Sequence, residues 1–218
     1  MSLRIGTWNL AGRWDLRHAS LLGAADCDVW LLTEVPEKLD LPGYASHRTE
    51  EHMQPHRAWA RVLARVPFTP LADPHPASAA VCIDGVTYCS SVLPWRGCGA
   101  SHPWIEGNHG ERTRHVLGQL TVTLGQGALV WGGDWNHALS GAERAGSKAG
   151  RAHLLALVGG RSLHVPTGDL PHRVAGLLSI DHVAIPSSWR ATARRISAEV
   201  DGARLSDHDA YVVDVVGG

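Results

Sequence analysis

The segment LRIGTWNL, residues 3–10, mixes Leu3, Ile5 and Trp8 with Arg4, Gly6 and Thr7 in the period-two manner of a strand with one buried face. It places Asn9 at the strand's end. Working outward, the same arrangement recurs. The apolar run Asp28 to Thr33 predicts a buried strand with Glu34 just past it, and Ala128 to Trp131 predicts a short strand running into Gly132-Gly133-Asp134, with Asn136 two residues on. Asp209 to Val216 predicts a closing strand preceded by Asp207-His208. Asp181 differs, falling inside the predicted strand Leu178 to Ile185, where a buried carboxylate requires a nearby His or metal. Strands that pair in packed sheets can bring such ends to one rim. Carboxylates gathered there repel one another unless a divalent cation neutralises them, and hard oxygen ligands select magnesium, manganese or calcium over zinc. The pattern points to metal-assisted phosphoryl chemistry.

Between these anchors the apolar spacing Leu16, Ala19, Leu22, Ala25 predicts a helix over Trp14 to Ala25, and further helices are expected over Glu111 to Thr123 and Lys148 to Val158, the last stopped by Gly159-Gly160. Ala58 to Val66, Ala79 to Ile83, Val86 to Leu93 and Arg195 to Val200 read as strands, with Asp84-Gly85 as a hairpin turn. Pro36 to Pro55 shows little periodicity, and Pro94 to Gly110 is a loop rich in Gly, Pro, Trp and His, of the kind that carries function. With no repeat, low-complexity block or linker, one domain over residues 1–218 is the economical reading.

Composition narrows the function. Of 218 residues, 44% are hydrophobic and 19% charged, which excludes disorder as the main state. A net charge of -1, from 20 Lys+Arg against 21 Asp+Glu, argues against binding of long nucleic acid by bulk charge alone and leaves local basic patches, with Arg13, Arg57, Arg96, Arg112 and Arg114 as the candidates near the expected rim. Lys38 and Lys148 are the only lysines, so the cations are mostly Arg forks able to grip phosphate bidentately, although codon bias gives the same skew. No apolar run approaches the roughly 20 residues of a membrane span, and no signal-peptide core opens the chain. A cytoplasmic monomer with no protein partner and no membrane insertion is expected. Cys27, Cys82, Cys89 and Cys98 have no metal-ligand spacing and read as free thiols, and the 14 His read mainly as scattered surface residues.

LRIGTWNL, LLTEVP, WGGDWN, SIDHV and LSDHDAYVVDV, in this order, resemble the motifs of the endonuclease/exonuclease/phosphatase superfamily of pancreatic-deoxyribonuclease-like enzymes. The resemblance spans Leu3 to Val215. Each motif alone is weak. Asn9 or Glu34 could simply end a strand, and Asp134 could cap a helix beginning near Asn136; five motifs in order are what carry the reading. The resemblance implies an α+β fold, a four-layer α/β sandwich with two mainly antiparallel sheets packed face to face and helices outside. It implies that Asn9 and Glu34 hold a magnesium ion (manganese as an alternative), with Asp207 as a further or water-mediated ligand. Asp134 would orient or deprotonate the attacking water, and Asn136 would hold that water or a phosphate oxygen. His208 would bond the scissile phosphate, with Asp181 fixing its tautomer. His182, on the opposite face of the strand, is structural.

Two departures stand out. Where many relatives carry a His or Tyr that touches the phosphate, the matching position is Val92; Arg96, His102 or His109 on the next loop are the candidate replacements, and Arg96 is the choice for substrate binding. Ala11 stands where abasic-site endonucleases have an acidic residue, which weighs against a repair enzyme. The expected activity is magnesium-dependent cleavage of a phosphodiester, as an endonuclease or related nuclease acting on nucleic acid, with Trp95, Trp104 and Trp135 as candidate base-stacking platforms. The alternatives are a phosphomonoesterase or lipid-headgroup phosphatase acting on another phosphate ester, and a binding module that has lost catalysis.

Overall fold

In the computed structural model, which describes residues 3–216, strands and helices follow the chain as β1 (Leu3–Asn9), α1 (Leu16–Ala25), β2 (Val29–Pro36), β3 (Ala45–Arg48), β4 (His52–Gln54), β5 (Arg57–Ala64), β6 (Thr69–Pro70), β7 (Ser78–Ile83) and β8 (Val86–Ser91). They continue with α2 (His109–Thr123), β9 (Leu129–Asp134), α3 (Lys148–Gly160), β10 (Leu163–His164), β11 (Asp181–Pro186), β12 (Arg190–Ile196), β13 (Glu199–Val200), β14 (Ala203–Arg204) and β15 (Ala210–Val216). One sheet has the order β12-β15-β1-β2-β5-β3, with β4 also on β5; the other runs β10-β11-β9-β8-β7-β6. Each has a single parallel pair, β1 with β2 and β8 with β9, and in each case a helix makes the crossover.

Alternation along the strands builds three apolar layers. Ile5, Val29, Leu31, Val62, Val130, Val183 and Val213 face one another between the sheets. Their neighbours Trp8, Trp30, Leu32 and Val212 point outward and are covered by Leu21, Leu22 and Ala25 of α1. Trp131, Cys89 and Ala184 point out of the other sheet under Val116, Leu117 and Leu120 of α2 and Leu154 and Val158 of α3. The result is the four-layer sandwich of two mainly antiparallel sheets with helices outside. The helix starts are set by side chains that satisfy free amides: Asp15 with His18, and Asn108 with Glu111, form reciprocal caps, and Ser147 accepts from Gly150.

Four differences from the sequence reading bear on the site. Glu34 lies within β2, which runs on to Pro36, because β5 pairs it as far as Arg57. The strand expected to end at Trp131 continues through Gly132-Gly133-Asp134, and no helix follows at Asn136, whose φ is 52°. β11 begins at Asp181, since Leu178 is drawn into a bridge with Pro171, so Asp181 joins the strand ends at the rim. The strand expected at Arg195 to Val200 sits earlier, at Arg190–Ile196. The short edge strands β3, β4, β6 and β10 carry no periodic signal. The four cysteines are free, and nine of the 14 histidines are exposed or half-buried as expected; the other five, His18, His75, His109, His137 and His182, are buried, each bonding a backbone group through a ring nitrogen.

Candidate active site

Register gathers the polar residues. β1 and β2 run parallel with Asn9 beside Thr33, so Glu34 follows immediately. Asp181 and Asp134 are direct antiparallel partners. Thr7 opposite Tyr211 sets the end of β1 beside the start of β15, where His208 stands. Local backbone then aims the side chains. Gly133, with φ 121°, lies so close to β8 that a Cβ would sit 2.2 Å from the Ser91 carbonyl oxygen, a place only glycine can occupy. Glu34 is itself in the left-handed region, with φ 49°, a strained position for a residue inside a strand. Ser206 donates to the Asn9 carbonyl at 2.6 Å and accepts from the His208 amide at 3.1 Å, tying the two ends together.

A continuous polar chain results. The Asn9 amide donates to Glu34 Oε1 at 3.1 Å and to Asp134 Oδ2 at 2.9 Å, while its own oxygen accepts from the Ala11 amide. Asp134 Oδ1 accepts from the Asn136 backbone amide at 3.0 Å, and Oδ2 lies 3.8 Å from His208 Nε2. His208 Nδ1 is 2.7 Å from Asp181 Oδ2. The other oxygen of Asp181, Oδ1, is buried without a partner. Asp134, Asp181 and His208 bring their ligand atoms within 4.8 Å of one another, a grouping able to hold a metal ion. Together with Glu34 these buried carboxylates present the hard oxygen donors that suit a divalent cation, and the lone Asp181 oxygen is an acceptor that the protein itself leaves open.

The electrostatics follow from burial and charge. Burial alone would lower the His208 pKa, but the charges of Asp181 and Asp134, the hydrogen bond donated to Asp181 and the charge of Asp207 outweigh it and raise the pKa to about 10. In the absence of a bound cation these carboxylates favour the imidazolium at neutral pH. Burial pushes Asp134 upward, against the pull of His208 and with the push of Asp181. Burial likewise raises Glu34, opposed by the Asn9 hydrogen bond and assisted by the Asp134 charge.

The structure thus brings Asn9, Glu34, Asp134, Asp181 and His208 together. Asn136 is adjacent, with one amide hydrogen committed to the Leu93 carbonyl at 3.0 Å. Asp207 is exposed on the turn before β15; its charge acts on His208 and Asp181, yet its side chain makes no hydrogen bond to a described residue. Arg96 is exposed and donates to the carbonyls of Gly146 and Glu143, which ties it to that loop. His102 pairs with Glu51, and His109 bonds Pro94 and Ser147. Val92 packs in the core beneath α2, as do Trp104 and Trp135, which removes both tryptophans as base platforms; Trp95 is half-buried against Trp104. His182 is structural, 2.9 Å from the His137 carbonyl through Nε2. Arg57, one of the arginines expected near the rim, donates to Glu34 Oε2 at 3.1 Å. Its pairing with Glu34, 23 positions away, is what the structure adds.

No protein-family model matches the sequence, and no curated protein matches it. Solved structures do. An AP endonuclease from Archaeoglobus fulgidus superposes with a TM-score of 0.72 at 14% identity, over 97% of this chain and 98% of that one. The endonuclease domain of TRAS1, a telomere-specific non-LTR retrotransposon, gives 0.64 at 16% identity, over 99% and 98%. An endonuclease/exonuclease/phosphatase protein from Bacteroides vulgatus gives 0.66 at 13%, over 99% of both chains. The chain has the fold of the endonuclease/exonuclease/phosphatase proteins. Among the described residues, no helix is long and apolar enough to cross a membrane.

Proposed function

We propose that this chain is a metal-dependent phosphoesterase that hydrolyses a phosphodiester, acting on nucleic acid as an endonuclease or related nuclease. The observation that carries the reading is the unbroken contact chain Glu34–Asn9–Asp134–His208–Asp181 at one rim of the sandwich. Fold likeness to AP endonucleases and a retrotransposon endonuclease domain supports it. Magnesium, or manganese, would be held by Glu34 with Asn9 beside it and Asp207 as an outer partner, and when bound it would polarise the phosphoryl oxygen and stabilise developing charge.

The protein groups do the rest. Asp134 is fixed through both oxygens, by Asn136 N–H and Asn9 Nδ2, and its raised pKa gives it the basicity to orient and deprotonate a water. His208, protonated at neutral pH, donates from Nε2 to a non-bridging oxygen of the phosphate, and Asp181 keeps both its tautomer and its charge through Nδ1. The Asn136 amide has one N–H and its oxygen left for the water or phosphate.

Hydrolysis of bis- and mono-p-nitrophenyl phosphate, compared in magnesium, manganese and chelator, tests the class. The expected result is chelator-sensitive release from the diester ahead of the monoester. A preference for the monoester replaces the nuclease reading with a phosphatase, and turnover that is indifferent to chelator removes the metal.

A further inference from the structure

We propose that Arg57 is a phosphate-binding residue of this site, held in place by Glu34 and Gly12. The inference rests on the phosphoesterase reading. A guanidinium carries five N–H donors in a rigid fork. In Arg57 one of its nitrogens, Nη1, meets Glu34 Oε2 at 3.1 Å, and no other side-chain hydrogen bond to a described residue engages it. The remaining donors are open at a partly exposed side chain, 26% accessible. Its ion partner Glu34 is the same carboxylate that Asn9 bonds at the heart of the site and that would hold the cation. Other arginines in this region are engaged by several protein partners: Arg96 donates to two loop carbonyls, and Arg195 and Arg204 both contact Asp209.

The guanidinium also has a purpose-shaped seat. Gly12, with φ 69°, lies directly beneath it, and a Cβ there would stand 2.3 Å from Nε and from one terminal nitrogen. Gly12 is fixed in turn, its amide donating to the Glu34 carbonyl at 2.8 Å, while the neighbouring Ala11 amide donates to Asn9 Oδ1. The same short turn that positions Asn9 and Glu34 thus provides a flat floor for the Arg57 fork. When a cation takes the Glu34 carboxylate, the bond that occupies Arg57 is released next to the place where the phosphate must bind. Cation and phosphate should then bind with positive coupling.

Two calorimetric titrations separate this from a role in merely propping Glu34. Magnesium alone is titrated into the wild type, Arg57→Gln, Arg57→Lys and Gly12→Ala, and inorganic phosphate is then titrated into each with and without magnesium. The expected result is that Arg57→Gln binds magnesium as tightly as the wild type or more tightly, yet binds phosphate about tenfold or more weakly, as loss of a charged hydrogen bond dictates. Arg57→Lys should recover part of the affinity, and Gly12→Ala should show the Arg57→Gln pattern by displacing the fork. The inference is overturned if Arg57→Gln weakens magnesium binding and leaves phosphate binding unchanged. Failure of the wild type to bind magnesium would remove the metal-dependent reading, while the metal-free phosphate titrations would still decide Arg57. A fold check by circular dichroism accompanies each variant, and a misfolded Gly12→Ala leaves the decision to the two Arg57 variants.

Discussion

His208 stands between two buried carboxylates, and its protonation depends on them. With Asp181→Asn one charge is lost and the acceptor for Nδ1 becomes neutral, the burial that lowers the pKa is kept, and the pKa must fall from about 10. If the imidazolium is the active form, the alkaline limb of kcat/KM should move down toward neutrality in Asp181→Asn, whereas the wild type holds its activity to near pH 10. Coincident limbs would separate His208 from the chemistry. Glu34 illustrates the opposite sign. Its folded pKa is raised, so its ionisation costs stability; that cost is absent in acid, where the group is protonated in both states, and is present in full once the pH exceeds the folded value. Glu34→Gln should therefore melt higher than the wild type in chelator at neutral pH, lose that advantage near pH 4, and gain less from added magnesium. A lower melting temperature in chelator at pH 7 would show that the Arg57 and Asn9 bonds outweigh the burial cost.

At the scale of the element, β9 is the strand on which the site turns. It carries Asp134 at its end, and Gly132 and Gly133 let it pass within reach of β11 and β8: a Cβ at Gly132 would meet the His182 carbonyl oxygen at 2.6 Å. Gly133→Ala adds both a clash with Ser91 and an unfavourable φ, and urea unfolding should show a loss of about 3 kcal/mol or more together with a drop in activity. Near-normal stability would mean that β8 and β9 can separate without cost. These elements also show how far sequence reaches. β1, β5, β7, β8 and β15 are legible because apolar residues alternate or run together, and the Asp84-Gly85 turn because both residues adopt positive φ. Asn9, Glu34, Asp134 and His208 are legible as polar residues set against such runs. Arg57 is legible only as one of five candidate arginines, since what singles it out depends on pairing between β5 and β2 and on the turn at Gly12. The buried histidines are hidden, because a His bonded to backbone carbonyls has the same neighbours in sequence as one in water.

For the whole molecule, a site that gathers Glu34, Asp134 and Asp181 under burial is a strained feature that a cation should relieve. Binding to the folded state alone stabilises by about 2.7 kcal/mol at a hundredfold excess over the dissociation constant, which for a chain of this size raises the melting temperature by about 5 to 10 °C. A melting curve that is the same in chelator and in millimolar magnesium would contradict a preformed cation site. The central claim, that this rim hydrolyses phosphodiesters through Asp134, is tested most directly by nicking of supercoiled plasmid by wild type and Asp134→Asn, purified side by side and assayed in magnesium and in chelator. The account predicts nicking by the wild type in magnesium, none in chelator, and a rate lower by about a hundredfold or more in a normally folded Asp134→Asn. Equal nicking by the two proteins, or none by the wild type under any divalent cation, would contradict it.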